Sequence, residues 1–168
     1  MGDRKAFGEM VEETKYFVFN ILFSHVRDAA VAEDLSQETY LKAFSSLNGL
    51  KNPNKINSWL ASIAHHTAID WMRAKKNATQ PSIAEEPADR RTPVQALSHR
   101  ERETVVRDIV NTLPPREREL IVLRYMEALS YKEIAALLKM TATAVGEKLC
   151  RLRRRLEAEI LQHKEDIL

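Results

Sequence analysis

Apolar positions early in the chain recur at the spacing of an α-helix rather than a strand. Phe7, Met10 and Val11, then Phe17, Val18, Ile21 and Leu22, form stripes along a first helix beginning near Asp3. Ala32, Leu35, Thr39, Ala43 and Leu47 keep the same period and predict a second helix from about Ala30 to Leu47, with these residues as its buried face. The turn-rich stretch NGLKNPNKIN follows, and Ile56, Leu60, Ile63 and Ala74 predict a long helix from about Asn57 to Lys76. Trp59 and Trp71 fall near its apolar sector and are expected in the core. His65, Arg73 and Lys76 fall on the opposite, solvent face, with His66 at its edge.

The pattern then lapses. NATQPSIAEEPADRRT, residues 77 to 92, is polar, contains Pro81 and Pro87 and has little to bury, which predicts a flexible linker over 77–93. Helical periodicity resumes near Val94 and breaks at Leu113-Pro114-Pro115, where proline suits the first turn of the next helix because its missing N–H has no partner there. The one Asn-Gly step, Asn48-Gly49, is not flanked by the alternating apolar spacing of a hairpin, so the expectation is an all-α protein of two small helical domains, 1–76 and 94–168, joined by the linker.

Ser130 stands three residues before Glu133, a capping-box spacing that starts a short helix at Tyr131. Ile134, Ala135 and Leu138 line one side of that helix. Val145, Leu149, Leu152 and Leu156 continue at helical spacing after a turn at Lys139 and Met140, with small Ala135 at the crossing. This is the pattern of a helix-turn-helix. At about 100° per residue, Thr143, Glu147, Cys150, Arg151 and Arg154 lie opposite the apolar sector of the second helix, where a recognition helix faces the major groove. Lys148 and Arg155 flank that face within reach of phosphates, whereas Arg153 lies beside Leu149 and Leu156 and is expected to pack its stem there or meet a protein partner. Lys139 stands where such turns commonly hold glycine.

Charge sharpens the picture. Of 168 residues, 30% are charged and the net charge is only +2, yet Lys139 to Leu156 carries six cations against the single anion Glu147. A local basic patch on a nearly neutral chain points to a polyanion met by one element. Cys150 is the lone cysteine, which excludes an internal disulfide and a multi-thiolate metal site. No apolar run reaches the length of a membrane span and no secretory signal is visible, so the expectation is a cytoplasmic protein without membrane insertion.

Three stretches, AEDLSQETYLKAF, INSWLASIAHHTAIDWMRAKK and LPPRERELIVLRYMEALSYKEIAALLKMTATAVGEKLCRLRRRL, resemble in order and spacing the extracytoplasmic-function group of sigma-70 family RNA polymerase sigma factors. The resemblance implies a sigma-2-like first domain and a sigma-4-like second one. It implies that Asp34, Gln37, Glu38 and Leu41, an outward cluster on the second helix, dock on the beta-prime clamp helices of core RNA polymerase. The loop from Leu50 to Asn57 then captures an unstacked −10 base, with Asn52, Asn54 and Asn57 reading it and His65, His66, Arg73 and Lys76 tracking the strand. Thr143, Glu147, Lys148, Cys150, Arg151, Arg154 and Arg155 meet the −35 element of promoter DNA. A contact with the polymerase beta flap and an anti-sigma factor as partner are also implied. His66 replaces a common asparagine, and Val145-Gly146-Glu147-Lys148 stands where the family usually reads Val-Lys-Ser-Arg or Val-Arg-Ser-Arg.

Two other classes compete with this one. A metal-dependent hydrolase has only the His66 and Asp70 pair at i, i+4 in its favour and no His-Glu-x-x-His or second carboxylate cluster, so no enzyme activity, cofactor or metal is expected. The alternative is a helix-turn-helix transcriptional regulator whose first block is a sensor or dimerisation domain, which binds duplex DNA by itself.

Overall fold

The computed structural model describes residues 2–50, 52–78 and 110–165, with side chains over 4–50, 52–77 and 110–160. Every described element is helical: α1 (Gly2–Val26), α2 (Ala29–Ser45), α3 (Ile56–Ala78), α4 (Pro115–Ile121), α5 (Tyr131–Leu138) and α6 (Ala142–Glu165), with short 3₁₀ and π turns between them. None of the described helices is long and apolar enough to cross a membrane.

α1, α2 and α3 pack against one another as a bundle. Its centre is Val18, Ile21 and Leu22 from α1, Ala32, Leu35 and Ala43 from α2, and Leu60, Ala61, Ala64 and Ala68 from α3. The alanines recur every three or four residues on α3, and their small side chains let the other two helices approach closely. Thr39, placed by the sequence on the apolar face of α2, is fully buried there. Trp59 and Trp71 pack half-buried against the core, and Lys75 Nζ lies 5.0 Å above the Trp71 ring.

The joint between α1 and α2 is tight. Arg27 takes a left-handed conformation (φ 55°), and its N–H bonds Phe23 O at 3.1 Å. Asp28 then caps α2, its carboxylate accepting from the Val31 N–H.

After α2 the chain makes two 3₁₀ turns, Leu47–Gly49 and Pro53–Lys55, the second capped by the Asn52 side chain accepting from Asn54 N at 3.0 Å. α3 begins at Ile56, one residue before the start expected from periodicity, so Asn57 is on the helix and not in the loop that the resemblance assigns to Leu50–Asn57. α3 also runs to Ala78, two residues into the expected linker. The remainder of that linker and the helix expected to resume near Val94 lie outside the described residues up to 109.

In the second half, Pro115 occupies the first position of α4 as expected. A π turn, Val122–Met126, follows, and the chain reverses through Ala128 (φ 54°), steadied by Arg124 Nη1 donating to Leu129 O at 3.0 Å. Leu113, Leu120, Leu123, Ile134, Val145, Leu149 and Leu152 make the core of this half. Leu137 is more deeply buried than Leu138, because α5 meets α6 on one side and α3 on another.

The two halves touch. α4 lies along α1, and α5 packs against α3. Two charged neighbours on α4, Arg118 and Glu119, are buried at this junction.

Candidate nucleic-acid interface

The helix-turn-helix is built from its caps outward. Ser130 Oγ accepts from the Glu133 N–H at 3.3 Å, and Glu133 Oε2 accepts from the Ser130 N–H at 2.8 Å, completing the box expected from the spacing. The Ser130 hydroxyl, the Ser130 amide and Ser58 together hold the Glu133 carboxyl below its ordinary value. At the other end Lys139 is left-handed (φ 53°, ψ 50°), and its N–H bonds Ala135 O. That conformation costs a non-glycine residue roughly 1 kcal/mol or more, which the hydrogen bond and buried Ala135 offset. Thr141 Oγ1 then accepts from the Ala144 N–H at 3.1 Å, capping α6.

Burial of Val145, Leu149 and Leu152 fixes the rotation of α6. Thr143, Glu147, Arg151 and Arg154 are thereby left exposed on the far side, with Lys148 exposed on the flank and Cys150 half-buried. Arg155 is exposed but engaged, donating to Glu117 Oε2 at 2.6 Å and approaching Glu159 Oε1 at 3.7 Å. Of the two alternatives for Arg153, the packed stem is not found: its guanidinium sits 3.6 Å from Glu157 Oε1 and its side chain is 62% exposed. Gly146 faces the Tyr131 ring, where an added Cβ would come within 3.3 Å of Cε2. A side chain there would have to move the half-exposed Tyr131 ring by a few tenths of an ångström, a contact that sequence alone does not show.

On α2, Asp34, Gln37, Glu38 and Leu41 are all exposed, as the helical wheel placed them. Leu41 is 72% exposed, and Glu38 pairs with Lys42 at 2.7 Å. The structure adds Phe44, exposed beside them at the i+3 position from Leu41 and packed edge-on to Phe7 with ring centroids 5.0 Å apart. Polar groups around an apolar pair are the composition of a protein-docking patch.

Asn52, Asn54 and Asn57 are exposed at the start of α3. Further along, Arg73 and Lys76 are exposed, Arg73 reaching Asp70 at 3.3 Å, and exposed His66 Nδ1 lies 2.6 Å from Ser62 O. His66 and Asp70, weighed as a metal pair, thus have separate partners.

His65 corrects the sequence expectation. It is not on the solvent face, because α4 covers that part of α3: His65 Nδ1 lies 2.6 Å from Glu119 Oε1 and its side chain is only 16% exposed. His25 Nε2 approaches the same oxygen at 3.0 Å from α1. Burial pushes the Glu119 carboxyl upward, but the two imidazoles beside it outweigh burial and hold it at about 2. Its neighbour Arg118 donates to Ser24 O at 2.6 Å and to Leu113 O at 2.7 Å, linking both halves. Burial, with the charge of Arg27, lowers Arg118 to about 10. Sequence reasoning passed over His25, Arg118 and Glu119. Only an Arg-Glu pair falling on the apolar face of α4 hinted at them.

Between the halves lies a cavity of about 440 Å³, with His66 and Arg73 from α3 on one wall and Arg116 and Lys148 from α4 and α6 on the other. Groups expected to meet separate promoter elements therefore face each other across it.

Comparison with known proteins places both halves. Residues 10–78 match Sigma-70 region 2 and residues 103–156 match Sigma-70, region 4. The chain is 30% identical over 142 residues to the ECF RNA polymerase sigma factor SigM of Bacillus subtilis, covering 84% of this chain and 86% of SigM. It is also 30% identical over 167 residues to the probable RNA polymerase sigma factor RfaY of Xanthomonas campestris, covering 96% of this chain but only 42% of RfaY. The fold is similar to that of the sigma factor RpoE from Bartonella quintana, solved in complex with the anti-sigma factor NepR. The TM-score is 0.72 at 22% identity, over 94% of this chain and 98% of RpoE.

Proposed function

Because the chain belongs to the extracytoplasmic-function group of sigma-70 family RNA polymerase sigma factors, which direct polymerase to promoters and are not themselves catalysts, we propose a division of that work among its helices. The exposed face of α2, with Asp34, Gln37, Glu38, Leu41 and the added Phe44, docks on the beta-prime clamp helices of core polymerase. Asn52, Asn54 and Asn57, with His66, Arg73 and Lys76, take the −10 strand, and α6 enters the −35 major groove through Thr143, Glu147, Lys148, Cys150, Arg151 and Arg154. Arg155 joins them once it leaves Glu117. The second half also meets the beta flap, and the protein works in the cytoplasm beside polymerase.

One observation carries the −35 assignment. α6 buries three apolar residues on one side and exposes Lys148, Arg151 and Arg154 around the other, the polarity a recognition helix needs.

The docked arrangement is the form that precedes promoter binding. A cavity of about 440 Å³ between Arg73 and Lys148 has no room for a duplex whose major groove alone is about 12 Å wide. Both surfaces engage DNA only after the halves part. His65, now held by Glu119, then becomes available to the −10 strand. An anti-sigma factor that grips the docked form is the partner consistent with this geometry.

The test is reconstitution: purified chain, core RNA polymerase and a promoter library, with transcripts sequenced. Transcripts sharing −35 and −10 elements support the assignment. Sequence-specific duplex binding by the chain alone, with no transcripts, would instead identify a helix-turn-helix regulator.

A further inference from the structure

We propose that His25, His65 and Glu119 form a binding site for a divalent transition metal of the zinc class, which clamps the second half of the chain onto the first. The three residues come from α1, α3 and α4, so the site exists only when the halves are docked. Nε2 of His25 and Nδ1 of His65 lie 3.0 and 2.6 Å from Glu119 Oε1, and the ligand atoms all fall within 4.8 Å of one another. Two imidazoles and a carboxylate are one of the three-residue sets with which proteins hold zinc while leaving a fourth position open.

Unsatisfied buried groups point the same way. The His25 side chain is 1% exposed, yet neither ring nitrogen has a hydrogen-bond partner; Nε2 is near Glu119 but out of line for one. Glu119, with a side chain 0% exposed, leaves Oε2 equally unpaired. Buried polar atoms in folded proteins normally have partners, and a cation at the focus of these three side chains supplies one to His25 Nε2, and to Glu119 Oε2 when the carboxylate binds through both oxygens.

The geometry needs little adjustment. Ligands about 2.1 Å from a tetrahedral zinc lie about 3.4 Å apart, so the two gaps to Glu119 widen by roughly 0.4 to 0.8 Å and the two imidazole nitrogens, within 4.8 Å of each other, close by up to about 1.4 Å through side-chain rotation. The protons now occupying them are displaced on binding. His65 and Glu119 also line the cavity between the halves, which gives the ion a route from solvent and a water molecule a place as fourth ligand. Arg73, Arg116 and Lys148 on the cavity walls repel a cation, so the site responds to metal concentration rather than holding its ion permanently. Metal bound to the docked form alone stabilises it by mass action. The inference stands on the docked geometry and does not rest on the promoter assignments.

The experiment titrates the full chain with cobalt(II), whose visible spectrum reports coordination, and repeats the measurement with zinc by equilibrium dialysis. One ion per chain with four-coordinate absorption is expected. His65→Gln, at the edge of the cavity, should weaken binding by about tenfold or more, whereas His66→Gln one position along should not. His25→Gln, checked for folding by circular dichroism, should behave like His65→Gln. Small-angle scattering should show the wild-type chain becoming more compact with zinc and the His65→Gln chain unchanged. Absence of stoichiometric binding would overturn the proposal and leave a hydrogen-bonded cluster only. Binding that survives both His65→Gln and Glu119→Gln would overturn it too, by placing the ion elsewhere, on His99 or His163.

Discussion

Ser58 Oγ donates a 2.7 Å hydrogen bond to Oε1 of Glu133, while the other oxygen of that carboxylate closes the capping box with Ser130. One side chain thus starts the helix-turn-helix and ties it to α3. These hydrogen bonds favour the ionised carboxylate and lower its pKa from the ordinary 4.5. Stability from this source is therefore fully present above pH 4.5 and is lost as pH falls through the lowered value. In urea denaturation across a pH series, the gap between wild type and Glu133→Gln should be constant near neutrality and close below that point. A gap independent of pH would show that the charge contributes nothing.

Arg118 holds carbonyls from both halves. Arg118→Ala leaves Ser24 O and Leu113 O without a buried donor, and hydrogen bonds to charged groups contribute about 1.5–3 kcal/mol each. A loss of roughly 3 kcal/mol or more is expected. Calorimetry should also resolve two transitions where the wild type gives one, since the halves no longer share this tie.

Docking on polymerase is tested at Leu41. Because its side chain is already 72% exposed, Leu41→Glu should change stability by no more than about 0.5 kcal/mol yet abolish co-purification with core polymerase. Unchanged co-purification would remove α2 from the docking surface. Phe44→Ala should lower both stability and docking, because its ring also packs on Phe7.

Salt dependence separates the cations of α6. Each phosphate contact contributes a slope of roughly 0.9 in log affinity against log salt. Arg151→Ala and Arg154→Ala should each lower the holoenzyme slope by that amount. Arg155→Ala should lower it less, because Arg155 must first leave Glu117, 2.6 Å away. Glu147→Ala should leave the slope nearly unchanged and relax one −35 position by about 1–3 kcal/mol, as expected for a carboxylate accepting from a cytosine amino group. Uniform tightening on every sequence would mean that Glu147 only repels phosphate.

What the sequence disclosed follows from the range of each interaction. Helical periodicity and the Ser130 to Glu133 spacing are set within one or two turns, so the helices, the cap and the buried face Ala32, Leu35, Thr39 and Ala43 are legible, whereas Leu47, expected on that face, falls in the 3₁₀ turn after α2. Lys139 in the left-handed turn is legible too. The same local rule misplaced His65, because a wheel records which way a residue points and not what another helix brings to it. His25, His65 and Glu119 are 40 and 54 positions apart along the chain, and no local pattern joins them. The packed stem expected of Arg153 is absent for a different reason: Glu157, one turn further on, offers its guanidinium a partner in solvent. Periodicity starts the third helix at Asn57, while the resemblance extends the loop to the same residue; Asn52 ends the loop earlier by capping the turn before α3, which begins at Ile56.

Arg118 and Glu119 are adjacent, oppositely charged and both anchored in the first half, one to a carbonyl of α1 and the other between two imidazoles. A short helix that rotates or slides to free one also pulls on the other, and each released charge must recover its hydration before the separation gains anything. No stable intermediate is available in which α4 is half detached. Undocking is therefore expected to be all-or-none, and the free energy stored in this pair sets how strongly a competitor must prefer the open form. Polymerase or DNA shifts the population of open chains in proportion to its preference for them, and turning a 1:99 mixture into 99:1 takes a preference of about 10⁴-fold.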